Sequence, residues 1–78
     1  MDELVLYSRP DCHLCDLAAA LLGEVAPGTG FESVNIEDDI QLLARYGVSV
    51  PVFRRMDNGD ELAWPFDGQG LREFLAPP

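Results

Sequence analysis

The apolar positions of the chain fall into short runs of two different periods. Leu4-Val5-Leu6-Tyr7 is a continuous apolar stretch closed by Ser8-Arg9-Pro10-Asp11, the pattern of a buried strand running into a loop. From Leu14 the spacing becomes helical. Leu14, Leu17, Ala18, Leu21, Leu22 and Val25 form an i, i+3, i+4, i+7, i+8, i+11 stripe. Pro10 and Asp11 place the helix start near Asp11 or Cys12, and Pro27-Gly28-Thr29-Gly30 forces its end by Ala26. Residues 31–36 alternate apolar and polar, the strand period. Glu37-Asp38-Asp39 offers caps for a second helix carrying Ile40, Leu43 and Ala44 on one face, and Gly47 sits where a left-handed C-terminal residue is wanted.

Val48-Ser49-Val50-Pro51-Val52-Phe53 has strand character interrupted by a proline, which confines it to an edge, a strand start or a special site. Asp57-Asn58-Gly59-Asp60 predicts a hairpin with a type I′ turn at Asn-Gly, pairing residues 52–56 antiparallel with 61–64. Trp64-Pro65-Phe66 leads out of the sheet. Asp67 then caps a last helix bearing Leu71, Phe74 and Leu75, ended by Ala76-Pro77-Pro78. The order is β-α-β-α-β-β-α, a single α/β domain over residues 1–78. Its first β-α-β is a right-handed parallel unit. The hairpin completes a four-stranded mixed sheet with helices on both faces.

Charge narrows the function. The 78 residues carry fourteen acids and five bases, a formal charge of −9, and every base is arginine. A nucleic-acid binder needs a cationic footprint, and docking on anionic lipid needs one too; neither partner is expected. The N-terminus lacks the basic and apolar regions of a signal peptide, and no apolar run approaches the ~20 residues of a membrane span. A cytoplasmic location is expected. Arg54 and Arg55 read as a solvated face that protects a sheet edge.

Two cysteines, Cys12 and Cys15, remain to be explained. Structural disulfides are rare in a reducing cytosol, and a bond across so short a loop adds little chain entropy. Their position points to chemistry. Cys12 falls at the junction of a strand and a helix, where unpaired N–H groups and the helix dipole stabilise an anion such as a thiolate. Cys15 lies one turn on, within reach to resolve a mixed disulfide. Cys12 is thus the expected nucleophile and Cys15 the resolving thiol. His13 and Arg9 favour a Cys12 thiolate while Asp11 and Asp16 oppose it, so a modest lowering below the free-thiol value of ~8.5 is expected. Trp64 and Phe66 read either as core or as an apolar rim beside Cys12.

Tyr7-Ser8-Arg9-Pro10-Asp11-Cys12-His13-Leu14-Cys15 and Tyr46-Gly47-Val48-Ser49-Val50-Pro51 resemble the glutaredoxin-like proteins of the thioredoxin-fold superfamily, a likeness running from Leu4 to Leu75. The resemblance implies that Pro51 is cis and faces the cysteines, and that the Val50 backbone offers a strand-like edge to a thiol substrate. It places Arg9 where a basic residue meets a glutathione carboxylate, and Asp67 where the γ-glutamyl end binds. The family's Gly-Gly pair is replaced here by Trp64-Pro65. With His13 as a tuning group, these residues describe a monomeric thiol–disulfide oxidoreductase acting on protein or glutathione-linked disulfides. No tightly bound cofactor or metal is expected, and glutathione or a thioredoxin-type partner serves as reductant. Three alternatives stand: a metal or iron–sulfur module shared between protomers, an adaptor without redox turnover, and a glutathione-dependent deglutathionylase.

Overall fold

The structure, a computed structural model, describes residues 4–76. The proline pair at 77–78, read above as the end of the last helix, lies outside them. The elements are β1 (Leu4–Ser8), α1 (His13–Val25), β2 (Glu32–Asn35), a 3-10 turn (Ile36–Asp38), α2 (Ile40–Tyr46), β3 (Val52–Arg55), β4 (Glu61–Ala63) and α3 (Gly68–Leu75). The sheet order is β2-β1-β3-β4. β1 and β2 are parallel, and the other two pairs are antiparallel. This is the expected α/β order with one added 3-10 turn.

β1 is central, and its alternation divides the core into two layers. Leu4 and Leu6 pack with Ala18, Leu22, Phe53 and Leu71 beneath α1 and α3. Val5 and Tyr7 pack on the opposite face with Ile36, Tyr46 and Val52, the layer closed by α2. Burial on both faces is why β1 reads as a continuous apolar run. Gly68 lets α3 approach α1 closely: a Cβ there would lie 3.1 Å from Val25 Cγ1.

Several local expectations are corrected. The α1 stripe is narrower than its sequence, because Cys15, Ala18 and Leu22 are buried while Leu14 and Leu17 are 41% and 42% exposed. In α2 the inward side chains are Leu42 and Tyr46, whereas Ile40 is 81% exposed and Ala44 also faces solvent. Tyr46 sets this rotation by stacking on Tyr7, ring centroids 4.4 Å apart. Gly47 is right-handed, φ −51°, and its smallness serves a different end. A Cβ there would come within 2.6 Å of the Leu43 carbonyl oxygen.

The hairpin loop is longer than a two-residue turn. Arg55 N–H donates to the Asp60 carbonyl at 2.8 Å, and Gly59 N–H donates to the Arg55 carbonyl at 2.8 Å. Gly59 alone takes the left-handed conformation there, φ +79°. A type I′ turn would set Asp57 directly opposite Asp60, a like-charge pair that destabilises a ladder. Instead Asp57 binds Arg55 at 2.7 Å, and the Asp60 N–H donates to Asn58 Oδ1 at 2.9 Å. Phe53 is thereby placed opposite Leu62. Arg55 is not merely solvated, since it donates to the carbonyls of Phe74 (3.1 Å) and Ala76 (3.0 Å) at the end of α3. Arg54 pairs with Glu61 at 3.2 Å.

Candidate functional site

The site is assembled at the end of the sheet where β1 runs out. Asp11 holds a left-handed conformation, φ 57°, which aspartate tolerates better than most side chains. This reversal delivers Cys12 in extended geometry as the N-cap of α1. Its Sγ accepts a hydrogen bond from the Cys15 N–H at 3.1 Å. An N-cap is usually an oxygen side chain satisfying one of the helix's unpaired N–H groups. Here a sulfur occupies that place, so the same donor faces whatever negative charge the sulfur carries. Cys12 and Cys15 are joined as a disulfide, with Cα atoms 5.2 Å apart. Cys12 is half-buried, whereas Cys15 is 5% exposed. His13 opens the helix and is exposed, as are Asp11 and Asp16.

Arg9 is exposed, and its guanidinium lies along the surface against two other segments. Its Nε and Nη2 donate to Glu37 Oε2 at 3.1 and 3.0 Å, and its Nη1 donates to the Gly47 carbonyl at 3.3 Å. One side chain thus joins the cysteine loop to the 3-10 turn and to the segment that leads into Val50-Pro51. Glu37 is the partner that sequence reading missed, and no local signal marks it, for the two residues lie 28 positions apart.

The Val50–Pro51 peptide bond is cis, and so is Trp64–Pro65, which the sequence does not announce. Pro51 precedes β3, where Val52 pairs with Tyr7, so it sits at the same sheet end as the cysteine loop. Val50 leans on the layer around Tyr7 and Tyr46. The Trp64 N–H donates to the Pro51 carbonyl at 3.0 Å, fixing the β4–α3 connection beside the proline. Asp67 caps α3, accepting from the Gly70 N–H at 2.7 Å.

Trp64 and Phe66 are half-buried and belong to the core. They pack against the α1–α3 layer, with their rings 5.0 Å apart edge to face, and both line a groove with Leu17 and Leu21. On the opposite face, Glu61 gathers Tyr46, Arg45 and Arg54. Burial and the Glu61 hydrogen bond hold the Tyr46 hydroxyl above its ordinary pKa of 10.0. The Arg55 guanidinium lowers the Asp57 pKa. Among the described residues, no three His, Cys, Asp or Glu side chains are arranged to hold a metal ion, and no helix is long and apolar enough to cross a membrane.

Comparison with known proteins agrees with this geometry. The X-ray structure of the structural genomics target protein XcR50 from X. campestris is 50% identical, with a TM-score of 0.85 over 95% of this chain and 99% of that one. The solution structure of the same target gives 49% identity, a TM-score of 0.84 and 96% coverage of both chains. The solution structure of protein Ne2328 from Nitrosomonas europaea is 28% identical, with a TM-score of 0.76 over 95% of this chain and 91% of that one. Among curated proteins none matches significantly. The glutaredoxin-like domain family (DUF836) matches residues 3–76. With its thioredoxin-like architecture and its Cys-X-X-Cys pair at a helix N-terminus, the chain belongs to the glutaredoxin-like domain family.

Proposed function

We propose that the protein is a thiol–disulfide oxidoreductase in which Cys12 attacks and Cys15 resolves. The observation that carries this reading is the asymmetry of the pair. Cys12 is the more accessible sulfur and caps the helix, receiving the Cys15 N–H at 3.1 Å, whereas Cys15 is buried at 5% exposure. A hydrogen bond to the charged form and the helix dipole both favour thiolate over thiol. In the reaction the Cys12 thiolate attacks one sulfur of a substrate disulfide. A mixed disulfide forms and the other substrate sulfur leaves as a thiolate. The Cys15 thiolate then attacks Cys12 Sγ, expels the second substrate thiolate and leaves the Cys12–Cys15 disulfide. Two electrons pass from protein to substrate.

Val50 and Pro51 supply the backbone edge beside which the substrate sulfur lies, and His13 and Asp16 adjust the charge around Cys12. Glutathione, or a dithiol partner protein, returns the electrons to the disulfide. The test is turnover of a small protein disulfide and of a glutathionylated peptide, with mass spectrometry of the Cys15→Ser variant. The expected result is reduction by the wild type and a stable mixed disulfide on Cys12 in the variant. No turnover of either substrate, with no adduct, overturns the reading. Colour or metal in the purified protein would point instead to a metal or cluster module.

A further inference from the structure

A groove of about 410 Å³ runs along the outer flank of α1, floored by Leu17, Leu21, Trp64 and Phe66, with Glu24 and Asp67 at its rim. Leu17 lies five residues beyond Cys12, about 7–8 Å along the helix axis. At the other side the groove adjoins the site through the Trp64 N–H bond to the Pro51 carbonyl. Leu14 and Leu17, 41% and 42% exposed, form an apolar path from the cysteine loop to the groove. An extended chain advances about 3.3–3.6 Å per residue, so a substrate residue two or three positions from a cysteine bonded to Cys12 reaches it.

Charge selects among polypeptides. Glu24 and Asp67 line the groove, and Asp11 and Asp16 are exposed in the chain on either side of the cysteine that caps α1. Arg9, Arg45, Arg54 and Arg55 are drawn into ion pairs with Glu37, Glu61 and Asp57. Arg72 lies near Gly68 at the groove, where the two lining carboxylates, Glu24 and Asp67, outnumber it. The backbone here is also poorly furnished for a free tripeptide. Pro65 has no N–H, and the Trp64 N–H is already bonded within the chain.

We propose that the groove holds an apolar side chain of a polypeptide substrate, two or three residues from its reactive cysteine and next to lysine or arginine. The inference rests on the redox reading and names its substrate class: a basic, apolar protein segment. The apolar side chain is buried against Leu17 and Trp64, and the neighbouring cations meet Glu24 and Asp67.

Trp64 is the chain's single tryptophan and reports on the groove directly. The experiment titrates oxidised wild-type protein with acetyl-Ala-Ser-Ala-Leu-Lys-Lys-amide, a thiol-free peptide that cannot react with the disulfide, and follows Trp64 fluorescence. A saturable change is expected, weakened at least about tenfold when the peptide leucine becomes serine or its lysines become glutamates. Added salt is expected to weaken it further, since the charges are exposed. Leu17→Asp abolishes the response, and Glu24→Lys reverses the preference between basic and acidic peptides. No saturable change, equal affinity for the leucine and serine peptides, or a charge preference untouched by Glu24→Lys each overturns the proposal. A fluorescence change that tracks protein concentration without peptide shows a second copy in the groove and also overturns it. Peptide binding by a wild type that turns over no disulfide defeats the redox reading alone. Turnover without peptide binding defeats the groove alone.

Discussion

Arg9 allows two roles to be separated by one double-mutant cycle. As a substrate ligand it would act alone; as a clamp it acts through Glu37. Both guanidinium bonds to Glu37 reach the same oxygen, Oε2, at 3.0 and 3.1 Å, and the side chains are 43% and 41% exposed. Solvent screening therefore limits the pair to about 0.2–1 kcal/mol. The 3.3 Å bond to the Gly47 carbonyl adds about 0.5–1 kcal/mol. Arg9→Ala is thus expected to cost about 1–1.5 kcal/mol, and Glu37→Ala, which loses only the ion pair, about 0.5 kcal/mol. For a domain of this size 1 kcal/mol lowers Tm by roughly 4–8 °C, so the first change is readily measured by thermal unfolding. The double variant should be less destabilised than the sum of the singles, with a coupling of about 0.5 kcal/mol or more, diminished by salt. Turnover should fall in both single variants, and further in Arg9→Ala, because Glu37→Ala frees the cysteine loop from the 3-10 turn alone while Arg9→Ala frees it from the Gly47 carbonyl as well. Strict additivity in stability, or a KM that rises with Arg9→Ala and drops with Glu37→Ala, would refute the clamp and return Arg9 to the substrate.

Three further expectations concern the scaffold. Asp67→Ala removes the cap on the Gly70 N–H and should cost about 1 kcal/mol in urea unfolding, while Asp67→Asn retains most of it. Gly47→Ala forces a Cβ toward the Leu43 carbonyl oxygen; a loss of about 1–3 kcal/mol is expected, as for other overpacked positions. Tyr46 has a pKa raised above 10.0 in the folded state, by burial first and the Glu61 hydrogen bond second. Its contribution to stability is complete below pH 10.0 and is lost as pH rises through the folded value. Urea midpoints across that alkaline range should fall in the wild type, and this step should be absent from Tyr46→Phe.

What was legible in the sequence was whatever repeated or capped. The β1 run, the start of α1 at Cys12, the cap at Asp67 and the order of elements all follow from local pattern. α2 was misread because it is only seven residues long. Ile40, Leu42, Leu43, Ala44 and Tyr46 cover most of its circumference, so periodicity could not choose a face, and the Tyr7 ring did. The hairpin turn failed for a related reason. Asn-Gly is a strong local signal, but the charge of Asp57 and Asp60 and the pairing of Phe53 with Leu62 outweighed it. In the site, the cysteine pair was visible from spacing alone. Glu37 was not, because a contact across 28 positions leaves no periodic trace, and the groove has none either, because it joins Leu17 and Leu21 of α1 to Trp64 and Phe66 from the far end of the chain.

The hold of Arg55 on the end of α3 bears on how the protein opens. α3 spans eight residues, too short to persist as an isolated helix in water. Its start is tethered by Asp67 and its last carbonyls by Arg55 of β3, so it cannot fray far while the hairpin stays paired. Hairpin and α3 are therefore expected to open as one cooperative unit, their amide protons exchanging with a shared free energy in native-state hydrogen exchange. Since Trp64 and Phe66 lie between the two, the wall of the groove and the support behind Pro51 are kept or lost in a single event.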